Sequence, residues 1–504
     1  MRDRRSVGGT MSEDRSASPV ADTGIDDRRR WRALGVGLVA AFMTLLDVSI
    51  VNVAVPSIDR ALHAGPSDLQ WVLSGYALTF GLVLVPAGRF GDARGRRTAF
   101  VVGVGLFTLT SALAGLATSA TWLIVARLVQ GAAAGVVNPQ VSGMIQQLFR
   151  GADRGRAFGL LGATIGISTA VGPLLGGLLI QLGGAEHGWR WVFFVNIPVG
   201  IVAMVLGWRL MPARPGGQPD RHRLDPVGVL LLGAGVTVIL LPLVQREQWQ
   251  GPAKWLLIPL GLVLLAGFAL WERRFARHAT PLFDLRLFGL RSYTLGSLIG
   301  LAYFAGFTAI FFIFTLYLQI GLGYSALVAG LAITPFALGS ALASALGGRV
   351  VTRYGRPLVA IGLLAVVVGL VATDLVLTGG PHDNVPWRTA LPLLVAGLGS
   401  GLVIAPNQTL TLSEVPVPMA GSGAGMLQTG QRIGSAAGIA AVGALFFSTL
   451  ADHRGDWSVA FRHSLLLAAG IIVLALAAAV VDILAGRRKE GPPVNASGRG
   501  RGPA

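Results

Sequence analysis

The chain has 504 residues, of which 53% are hydrophobic and only 13% charged, with a formal net charge of +17 and a mean hydropathy of +0.65. Soluble domains carry about a quarter charged residues, so this composition belongs in a bilayer. The arginines stand in short loops between apolar runs, which argues against a nucleic-acid surface, and the lack of cysteine excludes disulfides, thiolate metal sites and cysteine nucleophiles.

Residues 1–32 are polar, with neither an apolar core nor a small-residue cleavage site, so no cleaved signal peptide is expected. This tail ends in the basic cluster Arg28-Arg29-Arg30-Trp31-Arg32. Apolar runs follow, each about 20 residues long and able to cross a ~30 Å hydrocarbon core as a helix. The fourteen runs fall at 33–57, 68–88, 98–118, 121–143, 157–181, 191–211, 226–245, 255–272, 294–318, 326–349, 358–378, 389–411, 421–447 and 464–486. The fold class is an all-α integral membrane protein. Small residues let helices approach closely in lipid, which accounts for the 70 glycines.

Arginines accumulate in alternate loops: Arg89, Arg94, Arg96 and Arg97; Arg150, Arg154 and Arg156; Arg349, Arg353 and Arg356. The excess of positive charge makes that side cytoplasmic and puts both termini there, in a multi-pass protein of the cell membrane.

An internal repeat is visible. Gly88-x6-Gly95-Arg96 after the second run returns as Gly348-x6-Gly355-Arg356 after the tenth, with Thr352 in place of Asp92. The same spacing in equivalent loops implies two related six-helix bundles, residues 33–211 and 291–486. A linker, 212–290, carries two additional helices, and cytoplasmic tails 1–32 and 487–504 flank the whole. Secondary transporters built from such repeats hold a central site near the midplane. The spacing does not match a phosphate-binding loop, which needs Lys followed by Ser or Thr.

Several motifs sit on this frame. Leu46-Asp47-Val48-Ser49-Ile50-Val51-Asn52 places a carboxylate inside an apolar run, where charge is expensive. Arg127-Leu-Val-Gln130-Gly131 lies in the fourth run and Gly172-Pro173-Leu-Leu-Gly176-Gly177 in the fifth. Trp189-Arg-Trp191-Val-Phe-Phe-Val-Asn196-Ile-Pro198-Val-Gly200 and Pro281-Leu-Phe-Asp284-Leu-Arg286 follow. Together with the Gly88–Arg97 loop, these motifs resemble the major facilitator superfamily, and within it the 14-helix drug:proton antiporter family. The loop departs from the family pattern at Phe90 and Ala93, with Arg94 displaced by one position. The resemblance implies a major facilitator fold and a proton-coupled exporter of hydrophobic drugs or natural products, working by alternating access. It implies no enzyme activity, no cofactor beyond the proton gradient, and a monomer.

Asp47 and Arg127 are the expected proton-coupling pair. Asp47 lies ~21 Å along the first helix from the cytoplasmic side and Arg127 ~9 Å along the fourth from outside, similar depths in a ~30 Å core. An ion pair that only locks two helices is the other reading of that placement. His63, His187, His222, His278, His382, His453 and His463 fall in loops or at run ends, which argues against a histidine relay. Asp374 and Asp482 are expected at the interfaces.

Gly88, Asp92, Gly95, Arg96 and Arg97 are expected to form a cytoplasmic gate, with Gly88 allowing close helix approach. By the resemblance, Asp92 latches the two bundles. Gly172, Pro173, Gly176 and Gly177 strip the fifth helix of side chains for packing against the other bundle; its antiporter direction comes from the resemblance alone. Asn52, Gln130, Asn138, Gln140, Asn407, Gln431 and Arg432 are the polar candidates for a substrate cavity. The last two stand in reverse order to the family segment that they resemble. Where Arg432 lines the cavity, it opposes strongly cationic drugs and favours neutral or anionic ones. The alternatives are a dedicated exporter or importer of one metabolite, and a non-transporting membrane scaffold or sensor.

Overall fold

The computed structural model describes residues 27–213, 225–245, 249, 251–277, 281, 283–378, 384–416 and 419–487, with the side chains of a few helical positions, Asp92 among them, outside the description. The expected terminal tails therefore lie largely outside it. The helices are α1 (Asp27–Leu62), α2 (Pro66–Arg94), α3 (Arg96–Gly115), α4 (Ala120–Leu148), α5 (Gly151–Phe194), α6 (Asn196–Leu210) and α7 (Pro226–Val244). They continue as α8 (Leu257–Phe275), α9 (Arg291–Leu316), α10 (Ala326–Tyr354), α11 (Arg356–Thr378), α12 (Val385–Leu412), α13 (Ala420–Asp452) and α14 (Trp457–Arg487). Among the described residues, fourteen helical spans are long and apolar enough to cross a membrane. Helices satisfy every backbone donor and acceptor internally, as a hydrocarbon core requires.

Several helices run beyond the expected bounds, α14 by seven residues at its start, and two of the differences matter for the packing. α1 begins at Asp27 rather than 33, so Arg30 is helical and reaches Asp153 of α5 at 2.8 Å. The sixth span starts at Glu186 rather than 191. Its first turns are continuous with α5 across a bend at Gly184, whose φ of 80° suits glycine. A second break, between Phe194 and Asn196, has a simple cause. Pro198 lacks the N–H that would bond the carbonyl of Phe194.

The outer surface is apolar. Along α3, Val102, Leu106, Leu109, Leu113 and Leu116 are exposed at intervals of three and four residues, which places them on one face. In water such a stripe would drive aggregation, whereas in a bilayer it meets acyl chains.

Packing repeats with a period of eight elements. α1 packs on α5, α4 on α2 and α3, and α3 on α6; likewise α9 packs on α13, α12 on α10 and α11, and α11 on α14. The result is two six-helix bundles that meet along two seams, α5 against α10 and α2 against α13. α7 lies across the α2/α13 seam and α8 packs on α7. Ser67 of α2 donates to the Val244 carbonyl of α7 at 2.7 Å. The even number of spans puts Asp27 and Arg487 on one side, the entry face, opposite the far face.

Each of the repeated loops turns on a glycine at positive φ, though the two differ in ψ. Gly95 has φ 105° and Gly355 φ 58°, left-handed values that only glycine adopts cheaply. Between α8 and α9, a 3₁₀ turn at Leu285–Gly289 is capped by Asp284, which accepts from the backbone N–H of Arg286 at 3.1 Å.

Candidate functional site

Asp47 and Arg127 form a salt bridge between α1 and α4, with side-chain exposures of 0% and 1%. The bridge is one part of a saturated network. Asp47 Oδ2 accepts from Arg127, and Oδ1 accepts from Gln130 Nε2 at 3.1 Å and Asn196 Nδ2 at 3.0 Å. Arg127 also donates to Gln130 Oε1 at 2.8 Å and, through Nε, to the Val72 carbonyl at 3.2 Å. Its guanidinium carbon lies 4.1 Å from the centre of the Tyr76 ring. Asn196 donates a second bond to Ser111 Oγ at 3.0 Å, and Ser111 donates to the Phe193 carbonyl at 2.9 Å. The network joins α1, α2, α3, α4 and the α5/α6 junction. A charge so deep in a membrane protein requires such pairing.

The helices reach this contact because small residues let them. A side chain at Gly131 would strike the Tyr76 carbonyl and Thr79, so α4 runs directly against α2. Toward the entry face, Asn138 Nδ2 donates to Thr44 Oγ1 at 3.0 Å, and Tyr76 donates to the Thr44 carbonyl at 3.1 Å. Toward the far face, Asn52 donates to Val48 O of its own helix at 3.0 Å. Its Oδ1 is enclosed with no hydrogen-bond partner among the described residues.

Gly172 and Gly176 pack α5 on α1, against Ser49 and Ile50. Pro173 and Gly177, one residue further round, face α10: a Cβ on Gly177 would lie 2.6 Å from Leu327 Cα, and Gly330 abuts the Pro173 carbonyl. One motif therefore serves two contacts, with backbone against backbone at the inter-bundle seam. Nearby, Gln319 Nε2 donates to the Val53 carbonyl of α1 at 3.0 Å, a second link between bundles in the far half.

At the entry face, Arg96 lies over Gly143 and donates to the Pro139 carbonyl at 3.4 Å, while Arg97 stacks on Trp208 with 4.1 Å from guanidinium carbon to ring centre. The Asp92 side chain, expected as the latch, is outside the described residues. The close approach of α2 to α4 occurs at Gly91, where a Cβ would strike Gln140, and not at Gly88, which makes only a 3.5 Å contact with Pro139. Gln140 is buried and donates to the Ala87 carbonyl at 2.9 Å, holding this crossing together.

The other polar candidates separate. Gln431 turns to α9 within its own bundle, 3.5 Å from where a Gly300 Cβ would stand, whereas Arg432 crosses to α2 and lies 4.2 Å from the Phe80 ring centre. Asn407 is 2% exposed and bonds both ways, accepting from Arg356 at 2.7 Å and donating to the Gly296 carbonyl at 2.9 Å. It belongs to a charged cluster at the entry end of the second bundle. There Asp482, 2% exposed, pairs with Arg356 at 2.6 Å and Arg291 at 3.1 Å. Asp482 is thus an internal anchor, and Asp374 pairs with Arg462 at 3.5 Å.

Sequence reasoning missed two groups. Asn196 and Ser111 complete the shell of Asp47, though nothing in their spacing tied them to it. On α9, half-buried Phe304, Phe307 and Phe311 meet edge to face in a ladder, with centroids 5.8 and 5.0 Å apart, and Phe311 meets Phe336 of α10 at 5.3 Å. That ladder was readable as helical spacing.

Comparison with known proteins agrees with this architecture. The chain is 35% identical over 425 residues to the probable actinorhodin transporter of Streptomyces coelicolor, covering 84% of this chain and 73% of that one. It is 35% identical over 483 residues to the cephamycin export protein of Amycolatopsis lactamdurans, covering 92% and 94%. A solved structure of a bacterial homolog of the human lysosomal transporter Spinster superposes with a TM-score of 0.68 at 16% identity, over 93% of this chain and all of that one. The sequence pattern of the Major Facilitator Superfamily matches residues 37–439. On sequence and fold alike, this protein belongs to that superfamily.

Proposed function

We propose that the protein is a proton-coupled exporter of hydrophobic antibiotic-like or drug-like molecules, working by alternating exposure of the interface between its two bundles. The carrying observation is the saturated shell around Asp47 at membrane depth. A carboxylate held by Arg127, Gln130 and Asn196 is charged and fully paired in this arrangement. The shell lies wholly within the first bundle, so rocking one bundle against the other would change its access to water, and with that its hold on a proton, rather than pull its members apart. Two relatives named for transport or export of an antibiotic support the direction and the kind of cargo.

The entry face is read as cytoplasmic, because the loops there hold Arg89, Arg94, Arg96, Arg97, Arg353 and Arg356. In this reading Gly95, Arg96 and Arg97 belong to the cytoplasmic gate, Gly172–Gly177 seal the far side, and Phe304, Phe307 and Phe311 supply an apolar wall. The protein acts as a monomer in the cell membrane. One proton entering down 100 mV and one pH unit supplies ~3.7 kcal/mol. That supports between two and three decades of substrate gradient at ~1.4 kcal/mol per decade.

The test is flux in proteoliposomes. Gradient-driven movement of fluorescent hydrophobic compounds that collapses with a protonophore supports coupling, and flux indifferent to the gradient refutes it. A dedicated carrier of one natural product is the second reading, favoured because these relatives are each named for a single antibiotic. Saturable transport of one compound with no wider panel activity would select it.

A further inference from the structure

Arg432 differs from the arginines that hold ion pairs inside the helical spans. Arg127 is paired with Asp47, while Arg291 and Arg356 share Asp482. Arg432 has no carboxylate within ion-pair distance among the described residues, and its one close partner is the face of Phe80, 4.2 Å away in the opposite bundle. It lies about 18 Å along α13 from Ala420, near the middle of the span. The position is fixed. Thr429 donates to the Gly81 carbonyl at 2.9 Å, and a Cβ on Gly81 would lie 2.8 Å from Arg432 Cβ.

Charge accounting gives this placement its meaning. At mid-depth the described groups are Asp47, Arg127 and Arg432, so the pair cancels and one positive charge is left at the bundle interface. Such a charge is expensive in a membrane and marks a path or a binding site. Stacking on Phe80 occupies a guanidinium face, but the N–H groups lie in the guanidinium plane and remain directed at whatever enters beside them.

We propose that Arg432 is the specificity residue of the transport site, selecting substrates that carry a carboxylate or an acidic phenol. The acid pairs with the guanidinium edge that the Phe80 contact leaves open. The assignment deepens the exporter reading and rests on it for the direction of transport, but not for binding.

Two xanthene dyes of similar frame and opposite charge provide the test: anionic fluorescein and cationic rhodamine 123. Wild-type protein in proteoliposomes should move fluorescein in preference to rhodamine 123 by about tenfold or more. Arg432→Gln should abolish that preference, and Arg432→Lys should keep the preference for the anion with weaker affinity. Equal or better transport of rhodamine 123 by wild type, or an unchanged ratio in Arg432→Gln, overturns the proposal. Dye anisotropy in detergent separates it from the exporter reading. Fluorescein binding that depends on Arg432 without gradient-driven flux would sustain this site and sink the exporter. Binding equal in wild type and a folded Arg432→Gln, checked by melting, would sink the site.

Discussion

Arg127 and Arg432, from different bundles, bracket one pair of rings on α2. Arg127 lies 4.1 Å from the centre of Tyr76 and Arg432 lies 4.2 Å from that of Phe80, with the two rings edge to face at 6.0 Å. A cation–ring contact shielded from water is worth about 2 kcal/mol. Replacing Phe80 by Leu removes the ring that touches Arg432 and leaves Tyr76 in place. Flux in proteoliposomes should fall by about thirtyfold, the equivalent of that contact. Unchanged flux would reduce the bracket to packing.

Asp47→Asn should abolish proton-driven flux. It also leaves Arg127 uncompensated, at a cost of about 3–5 kcal/mol, so melting in detergent should show a clear loss. The double variant Asp47→Asn with Arg127→Gln should recover most of the stability and none of the flux. Recovery of both would make the pair a structural lock.

Gly177→Leu should disrupt closure at the far end of the α5/α10 seam, because even a Cβ there would sit 2.6 Å from Leu327 Cα. Without native cysteine, a single Cys introduced at Ala326 can report the result. Its labelling by a membrane-impermeant maleimide should rise in Gly177→Leu relative to the glycine parent. Equal labelling would show that the seam tolerates the bulk.

Asp482→Asn should destabilise the second bundle by about 3–5 kcal/mol, because it weakens the pairing of both Arg291 and Arg356. Substrate preference should not change. A melting temperature equal to wild type would contradict the role of this cluster as an anchor.

The Arg286 hydrogen bond holds the Asp284 carboxyl below its ordinary value of 3.8, against a smaller upward push from burial. A carboxylate lowered in the folded state stabilises it above the unfolded value, and that stability is lost as pH falls through the folded one. Hydrogen exchange over Leu285–Gly289, corrected for intrinsic rates, should therefore accelerate below about pH 4 in wild type. Asp284→Asn should remove this acid dependence; an identical profile in both proteins would exclude Asp284 as its source.

The spans are legible in the sequence because an apolar run of about twenty residues matches the thickness of a hydrocarbon core and is too long for an ordinary buried segment. The sixth was misplaced because Glu186, His187 and Arg190 look like loop. In the structure Trp189 is fully buried, and Arg190 spends its charge on the Gly115 carbonyl at 2.6 Å. Counting along helices brought Asp47 and Arg127 to one depth, but depth carries no azimuth. Gly91, not the expected Gly88, therefore meets Gln140 of α4, and the amide of Asn407 is engaged by Arg356 and the Gly296 carbonyl. Asn196 is 149 residues from Asp47, and only the folded bundle makes them neighbours.

The two inserted helices make the protein's flanks unequal. α7 lies over the α2/α13 seam, with no counterpart among the described helices over α5/α10. For an oily solute already dissolved in the leaflet, one flank is screened and the other is bare.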